Sequence, residues 1–600
     1  MAAQKETAPP PPKYIIFDDF SGGMNTQFAR EDLPEKALAW IENLQPIAKN
    51  KLQGVPGPAD KPLTTFVSKT IVRQFYFDLG ASIDYIINFG NDGSCTAVQN
   101  PGGTNIQIAP AGTFSSTGAD AANWLGQRIL FADSVAGYCT WDGNIFVQQG
   151  GMSPNIIVTA GGSGYSNPVA SSSGGSGTGD TYSVQQNGGV VTGVTLLTPG
   201  KNFKATDTIT LTISDSGGGI GSGATANAHV WPFISPAPTT VAVAFGRVWL
   251  AQGKTLICGG TGSSTFGDAY DDFTTADASV TLIISDSDLI HQITALRYLE
   301  GTLYIWGDNS VKFIASITVS SGVTNFTITP LTSDQGTTYP QSIVSFNRLV
   351  LFANSVGVFA IFGASVEKIS DPMDGVFQKI NFAAAPLSAG VIDLNNIHTF
   401  ALLVQYQDPE LGLRSLILCY ANQKWNTANQ GMTITSIVTA FINGQTYLFG
   451  AETVTATDNE VLEFFTSTDQ PVDYKVSTSL TSHGNPVKNK RVQRAGVGQT
   501  VSAVSDLVLM VESEYGETNA GLAEQFAQMT IQNSLGQNLT ITNSSGGVLQ
   551  ITGTGFVASR SGQLSQTGTW IGATATGSLN GIQIQAIFLE YTEGALWGKQ

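Results

Sequence analysis

Seven short segments of one design recur along this chain, and their spacing constrains its fold more than any other feature. Each alternates apolar residues, often opens at an arginine or a turn, and closes on a small or polar residue. They are YIINFGN from Tyr85, RILFADS from Arg128, RVWLAQG from Arg247, TLYIWGD from Thr302, RLVLFANS from Arg348, FALLVQYQD from Phe400 and QTYLFGAE from Gln445. Aligned on their apolar ends, they place anchors at Asn88, Leu130, Trp249, Ile305, Leu351, Leu403 and Leu448. The steps between anchors are 42, 119, 56, 46, 52 and 45 residues, and removing residues 154–229, whose composition differs, shortens the long step to 43. Such a period holds four short strands with their turns, the size of one β-propeller blade. The spacing predicts a mainly β chain, with a propeller of six or seven blades between about residues 65 and 475. A sandwich of unrelated strands is the alternative.

Composition agrees with turn-rich β-structure. The 600 residues are 42% hydrophobic and only 12% charged, with 67 glycines, so solubility rests on uncharged polar surface. A net charge of −17 argues against gripping nucleic acid through phosphate contacts, which need clustered Lys and Arg. Residues 1–13 lack the apolar core of a signal peptide, and no apolar run is long enough to span a bilayer. Cys95, Cys139, Cys258 and Cys419 stand far apart with no CxxC pair, which predicts buried free thiols.

Around the repeats the chain divides into five parts. Residues 1–64 read as an N-terminal arm in which Asp32 caps an amphipathic helix that buries Leu33, Ala37, Leu38, Trp40, Ile41 and Leu44. Residues 65–153 and 230–475 are the two parts of the propeller. Residues 154–229 form an inserted glycine-rich β module with an internal echo: GGSGYSNP from Gly161 returns as PGKNFKATD from Pro199. The same echo brings GGSGTGDTYS from Gly174 back as GGGIGSGATA from Gly217. Because the insert leaves the flanking spacing undisturbed, its ends should meet and its excision should leave the stability of the remainder unchanged. Residues 476–600 are a C-terminal β region opening with the basic run KNKRVQR, Lys488 to Arg494.

A search for catalytic chemistry returns little. His229, His291, His398 and His483 have no histidine at i+4, there is no GxSxG elbow, and the glycine runs lack the GK[ST] of a phosphate loop. DSVAGYCTWDG from Asp133 holds the residues of a sialidase turn at the wrong spacing. DAYDD, Asp268 to Asp272, and SDSD, Ser285 to Asp288, supply paired carboxylates that suit sugar chemistry or calcium, or simply solvated loops. The expectation is a protein that is not an enzyme, with no catalytic, metal or cofactor residue assigned.

A DF-x-GG-x-N opening at Asp19 to Asn25, then ENLQP (Glu42 to Pro46), GVPGP (Gly54 to Pro58), blade-like repeats and NPVKNKRVQR (Asn485 to Arg494), resembles the tail nozzle family of short-tailed bacteriophages, also called tail tubular protein B. The likeness covers residues 14–150 and 230–515. The insert is similar to the glycine-tyrosine repeats GxGY…GGxGSGATA of phage virion proteins, with Asn202-Phe203 in place of the second Gly-Tyr. The resemblance implies a structural virion protein, assembled in the host cytoplasm into a hexameric ring beneath portal and adaptor. That ring meets tail fibres or spikes and extends the DNA channel, so genomic DNA passes without being held. It implies no cofactor and no catalytic residue. A lumen lined by acidic and neutral side chains would let DNA pass, with Lys488, Lys490, Arg491 and Arg494 turned to a neighbouring subunit or partner. A propeller that binds or cleaves host surface glycans is the alternative function.

Overall fold

The computed structural model describes residues 11–596, apart from 81–82, 101–102, 217–218, 263–266, 276–279, 285–290, 321, 456–457, 468–469, 502–505, 523–554 and 579–580. The chain is mainly β, 57% strand and 3% helix. Seven four-stranded antiparallel units follow one another. The first comprises Ile71–Asp78, Asp84–Gly90, Cys95–Asn100 and Thr104–Ala109, and the second runs from Asp120–Trp124 to Phe146–Val147. The third runs from Thr240–Ala244 to Val280–Ile283, the fourth from Ile293–Leu299 to Thr329–Thr332, and the fifth from Val344–Phe346 to Ser365–Lys368. The sixth spans Ser388–Leu394 to Lys424–Ala428; the seventh is Ile434–Ile442, Gln445–Thr453 and Asn459–Phe464, completed by Thr64–Phe66 from the far end of the chain.

All seven anchor residues fall on the second strand of their unit, and all are buried. The repeat was therefore a repeat of place as well as pattern. A second strand is flanked by two neighbours and covered on both faces, so it reads as a near-continuous apolar run, the strongest strand signal a sequence carries.

Each unit shares a hydrophobic cluster with the next. Phe89 meets Phe131 between the first and second, Leu130 and Val248 lie in one cluster between the second and third, and Trp249 and Ile305 between the third and fourth. Trp306 meets Phe352, Phe346 meets Phe400, and Leu403 clusters with Leu448 along the rest of the series. Ile86 and Val98 of the first unit pack with Phe449 and Ala451 of the seventh. Asn459 reinforces that last joint, its side-chain oxygen accepting the Ile71 amide at 2.5 Å, and Thr435 donates to the Ile71 carbonyl at 2.7 Å.

The two ends of the chain fold together beside the sixth unit. Lys13–Phe17, Leu44–Ala48 and Lys51–Gly54 join a sheet with Lys488–Val501, Gly555–Arg560, Gln566–Gly568 and Gln583–Leu596. Trp40–Glu42 extends the sixth unit into a nine-stranded sheet that includes Tyr474–Ser477, Ile571–Gly577, Val508–Ser513 and Gly516–Asn519. The N-terminal arm and the C-terminal region are thus one body.

The amphipathic helix expected over residues 33–44 is absent. Residues 34–37 turn instead, with Lys36 at φ 74°, and Trp40–Glu42 is a strand set antiparallel to Lys475–Ser477 and parallel to Thr427. Ala37, Leu38, Ile41, Glu42, Asn43 and Leu44 are all buried, whereas a helix docked on a core would have kept one side exposed. Apolar residues at helical spacing over so short a stretch also fit a strand buried on both faces, and the two open neighbouring strands decided the outcome. Among the described residues the single α-helix is Asp374–Phe377.

The motifs that carry the family resemblance lie at joints. In DFSGGMN, Phe20 and Met24 are buried, and the Met24 amide donates to the Trp425 carbonyl of the sixth unit at 2.8 Å. A side chain at Gly22 would meet the Lys36 carbonyl at 2.7 Å, which explains the first glycine; Gly23 has φ 64°. In GVPGP, Gly54 donates to Ile582 of the C-terminal body and Gly57 to Ser467 beyond the seventh unit, where a β-carbon would lie 2.1 Å from the Gln470 carbonyl.

Candidate functional sites

The basic run is largely spent inside its own body. Lys490 is 0% exposed, and its ammonium donates to the carbonyls of Asn485, Lys488 and Thr569 at 3.0, 3.3 and 2.9 Å. Burial pushes its pKa below the ordinary lysine value. Lys488 pairs with Glu593 at 2.9 Å, and Glu593 also binds Lys13. The expectation that all four basic residues face a neighbouring subunit or partner is corrected for Lys490, which is turned inward; Lys488 keeps 38% of its side chain exposed. Arg491 and Arg494 remain exposed. Replacing Lys490 with methionine should cost about 1–3 kcal/mol, because carbonyls it serves lose a donor in a dry site; urea unfolding of the variant measures this, and unchanged stability would show those carbonyls satisfied otherwise.

The acidic cluster Asp268 to Asp272 is a joint. Asp271 is fully enclosed and accepts hydrogen bonds from Ser153 Oγ at 2.5 Å and Asn155 Nδ2 at 2.9 Å, with His229 Nε2 2.7 Å from the same carboxylate. Ser153 and His229 bracket the insert, and the Ser153 amide donates to the His229 carbonyl at 2.9 Å. The ends of the insert therefore meet, and one carboxylate ties both to the third unit. Ser153 and His229 both address the Asp271 carboxylate, an arrangement that does not place the imidazole as a base on the serine hydroxyl. Asp272 is equally buried, accepting Thr275 Oγ1 and the amides of Thr274 and Thr275. The stretch Ser285 to Asp288 lies outside the described residues.

The sialidase-like turn dissolves in the same way. Asp133 accepts the amides of Ser115, Val135 and Ala136, and Asp142 those of Asn144 and Ile145, so both carboxylates shape turns. His291 pairs with Asp308 and His398 with Asp393. All four cysteines are buried free thiols on the third strands of their units; burial pushes Cys419 up to about 12 and Cys258 to about 11, so neither is a reactive thiolate. Among the described residues no group of three or more His, Cys, Asp or Glu is placed to hold a metal ion, and no helix is long and apolar enough to cross a membrane.

The strongest electrostatic feature was not anticipated. Asp120, on the first strand of the second unit, is 1% exposed and receives a bidentate Arg297 from the fourth unit at 2.9 and 2.9 Å. Thr240 Oγ1 of the third unit donates to it at 2.5 Å, and Arg73 of the first unit stands 3.6 Å away. Burial works to raise the Asp120 carboxyl, but the charges of Arg297 and Arg73 outweigh it and hold its pKa below the usual carboxylate range. One carboxylate thus pins the first strands of four units. Arg297 also donates to the Pro340 carbonyl, and Gln341 to that of Gln74, so the knot reaches from the fifth unit back to the first. The partners are dispersed through the sequence, and no local pattern could have joined them.

A groove of about 710 Å³ runs where the long hairpin of the sixth unit meets the body of chain ends. Arg414 spans it, bidentate to Glu42 at 2.8 and 2.9 Å and 3.1 Å from Asp408. Arg414 is paired with carboxylates from both sides, which marks this contact as a joint between the two bodies.

Compared with known proteins, the sequence matches no family model and no curated protein.

Proposed function

We propose that the seven units are the blades of one β-propeller and that the protein is a structural subunit of a phage tail nozzle. The propeller reading rests on the shared clusters between successive units, on the seventh unit's packing against the first, and on Thr64–Phe66, which seals the circle with a strand from the opposite end of the chain. The single observation that carries the nozzle reading is the placement of its motifs: DFSGGMN and GVPGP are the joints at which the N-terminal chain knits the flanking body to the units. Such interlocked ends suit a subunit that must stay rigid while DNA passes. Asp271 and Asp272, two of the candidate carboxylates, are buried and committed to structural hydrogen bonds.

In this reading the passage for DNA lies between subunits, within a closed heterologous ring, sixfold by the family resemblance. Tail adaptor protein is its partner above, and fibres or spikes its partners at the side. Electron microscopy of virions, or of the purified chain mixed with its adaptor, tests this directly. The expected result is a cyclic ring on the tail axis with an acidic or neutral lumen. A location off the axis defeats the proposal, and a basic lumen defeats its electrostatic part.

A further inference from the structure

The insert presents a surface with a chemistry of its own. Only Asp180, Lys201, Lys204, Asp207 and Asp215 are charged among residues 154–229, and the three carboxylates are engaged internally. Asp207 accepts the amides of Lys204 and Ser176, Asp215 those of Ser166 and Asn167, and Asp180 the hydroxyls of Ser172 and Tyr182. Backbone amides hold Asp207 and Asp215 below the ordinary carboxylate pKa. Lys201 and Lys204 stay exposed, but neither lies on the four-stranded sheet of the insert, whose outward face carries mainly hydroxyls.

Four strands, Ile157–Ser163, Ser222–Asn227, Thr210–Asp215 and Pro168–Ser173, make one sheet in that order. Leu211 and Ile213 turn inward onto Tyr165, Val191 and Val194. Their neighbours turn outward: Ser171 pairs with Thr212 and Ser173 with Thr210, while the Leu211–Ala226 pairing sets Thr212 against Thr225 and Thr210 against Asn227. All six are exposed. They form two rows, with neighbours about 4.8 Å apart across strands and rows about 6.8 Å apart along them. At one end the face dips into a cavity of about 400 Å³ lined by Ile209, Thr210, Leu211 and residues 225–229, with no carboxylate or ammonium in its wall.

We propose that this face binds a neutral polyhydroxylated chain, a segment of uncharged polysaccharide. A hydroxyl carries one donor and two acceptors; Ser173 donates to the Thr210 carbonyl and Thr225 bonds the Thr159 hydroxyl, yet both keep acceptor capacity, so the rows match a ligand whose own groups are hydroxyls in series. The apolar Ile209 and Ala228 in the cavity suit the C–H face of a sugar ring. Because no charge is desolvated and no ion pair formed, binding should persist at high salt. The inference does not depend on the ring, since it concerns a single chain.

The test is affinity electrophoresis of the full chain through gels containing dextran, mannan or galactan, with alginate as the anionic comparison. Retardation is expected by at least one neutral polymer, undiminished by salt. The double variant Thr212→Lys/Thr225→Lys should weaken it roughly tenfold, as loss of two hydroxyl contacts predicts, whereas Thr181→Lys/Thr195→Lys on the separate hairpin should not. Circular dichroism checks that both variants fold. Absence of retardation by all three neutral polymers, equal loss in both variants, or a change in oligomer size confined to Thr212→Lys/Thr225→Lys would overturn the proposal, the last by assigning the face to a second copy of the chain.

Discussion

Replacing Asp120 with alanine should lower the free energy of unfolding by about 3–5 kcal/mol, the range expected when one partner of a buried ion pair is removed. The cost comes from what stays behind. Arg297 would keep its guanidinium in a site built for a carboxylate, and Arg73, whose pKa burial already depresses against the pull of Asp120 and Asp133, would lose the carboxylate that stands 3.6 Å away. Asp120→Leu combined with Arg73→Met and Arg297→Met should recover most of the loss, because an apolar cluster of similar volume carries no desolvation penalty. The pH dependence has a defined sign. The folded carboxyl titrates below its unfolded value, so its contribution is full above about pH 4 and fades as pH falls through the folded pKa. The gap between wild type and Asp120→Ala should therefore narrow in acid. Urea unfolding at several pH values reads both effects; a variant as stable as wild type at neutral pH would mean that the knot is decorative.

That knot also marks where the sequence stops being legible. The second strands were visible because both of their faces are buried, so Leu130, Trp249 and Leu351 announce themselves in a few residues. First strands carry mixed polar and apolar residues such as Arg73, Asp120 and Thr240, whose partners come from other units, and short-range pattern cannot reveal them. The N-terminal stretch failed for a related reason. Trp40, Ile41 and Glu42 form a strand because two strands from residues 424–428 and 474–477 leave a gap there, and helical spacing in so short a stretch could not outweigh that tertiary demand. The insert was recognised by composition, and its echo is structural: Gly164 and Asn202 share positive φ, 77° and 68°, ahead of Tyr165 and Phe203, both buried. Asparagine tolerates the left-handed conformation better than most residues, which is why it can stand in for glycine.

The same echo separates two roles and sets the last expectation. Tyr165 lies in the insert's own small core, where a β-carbon at Gly221 would strike its ring at 2.5 Å. Phe203 instead belongs to the cluster shared by the second and third units, together with Leu196, Trp231, Met152 and Trp124, and its amide donates to the Gly150 carbonyl at 3.0 Å. The ends of the insert meet, but its base is part of the main core, so its excision is expected to cost more than its undisturbed spacing suggested. Phe203→Ala should cost about 3–5 kcal/mol and Leu196→Ala about 2–5 kcal/mol. Excising residues 154–229 behind a Gly-Ser bridge should cost more than either, since it removes both side chains at once, uncovers Trp231 and Met152, and takes away the Asn155 and His229 partners of Asp271. Scanning calorimetry reads the outcome as the temperature of the first transition, the appropriate measure for a chain too large for a two-state treatment. The order expected is wild type, then the point variants, then the excised chain. An excised chain that melts with wild type would show that Phe203 and Leu196 cover the core without supporting it, and that the insert is an independent module after all.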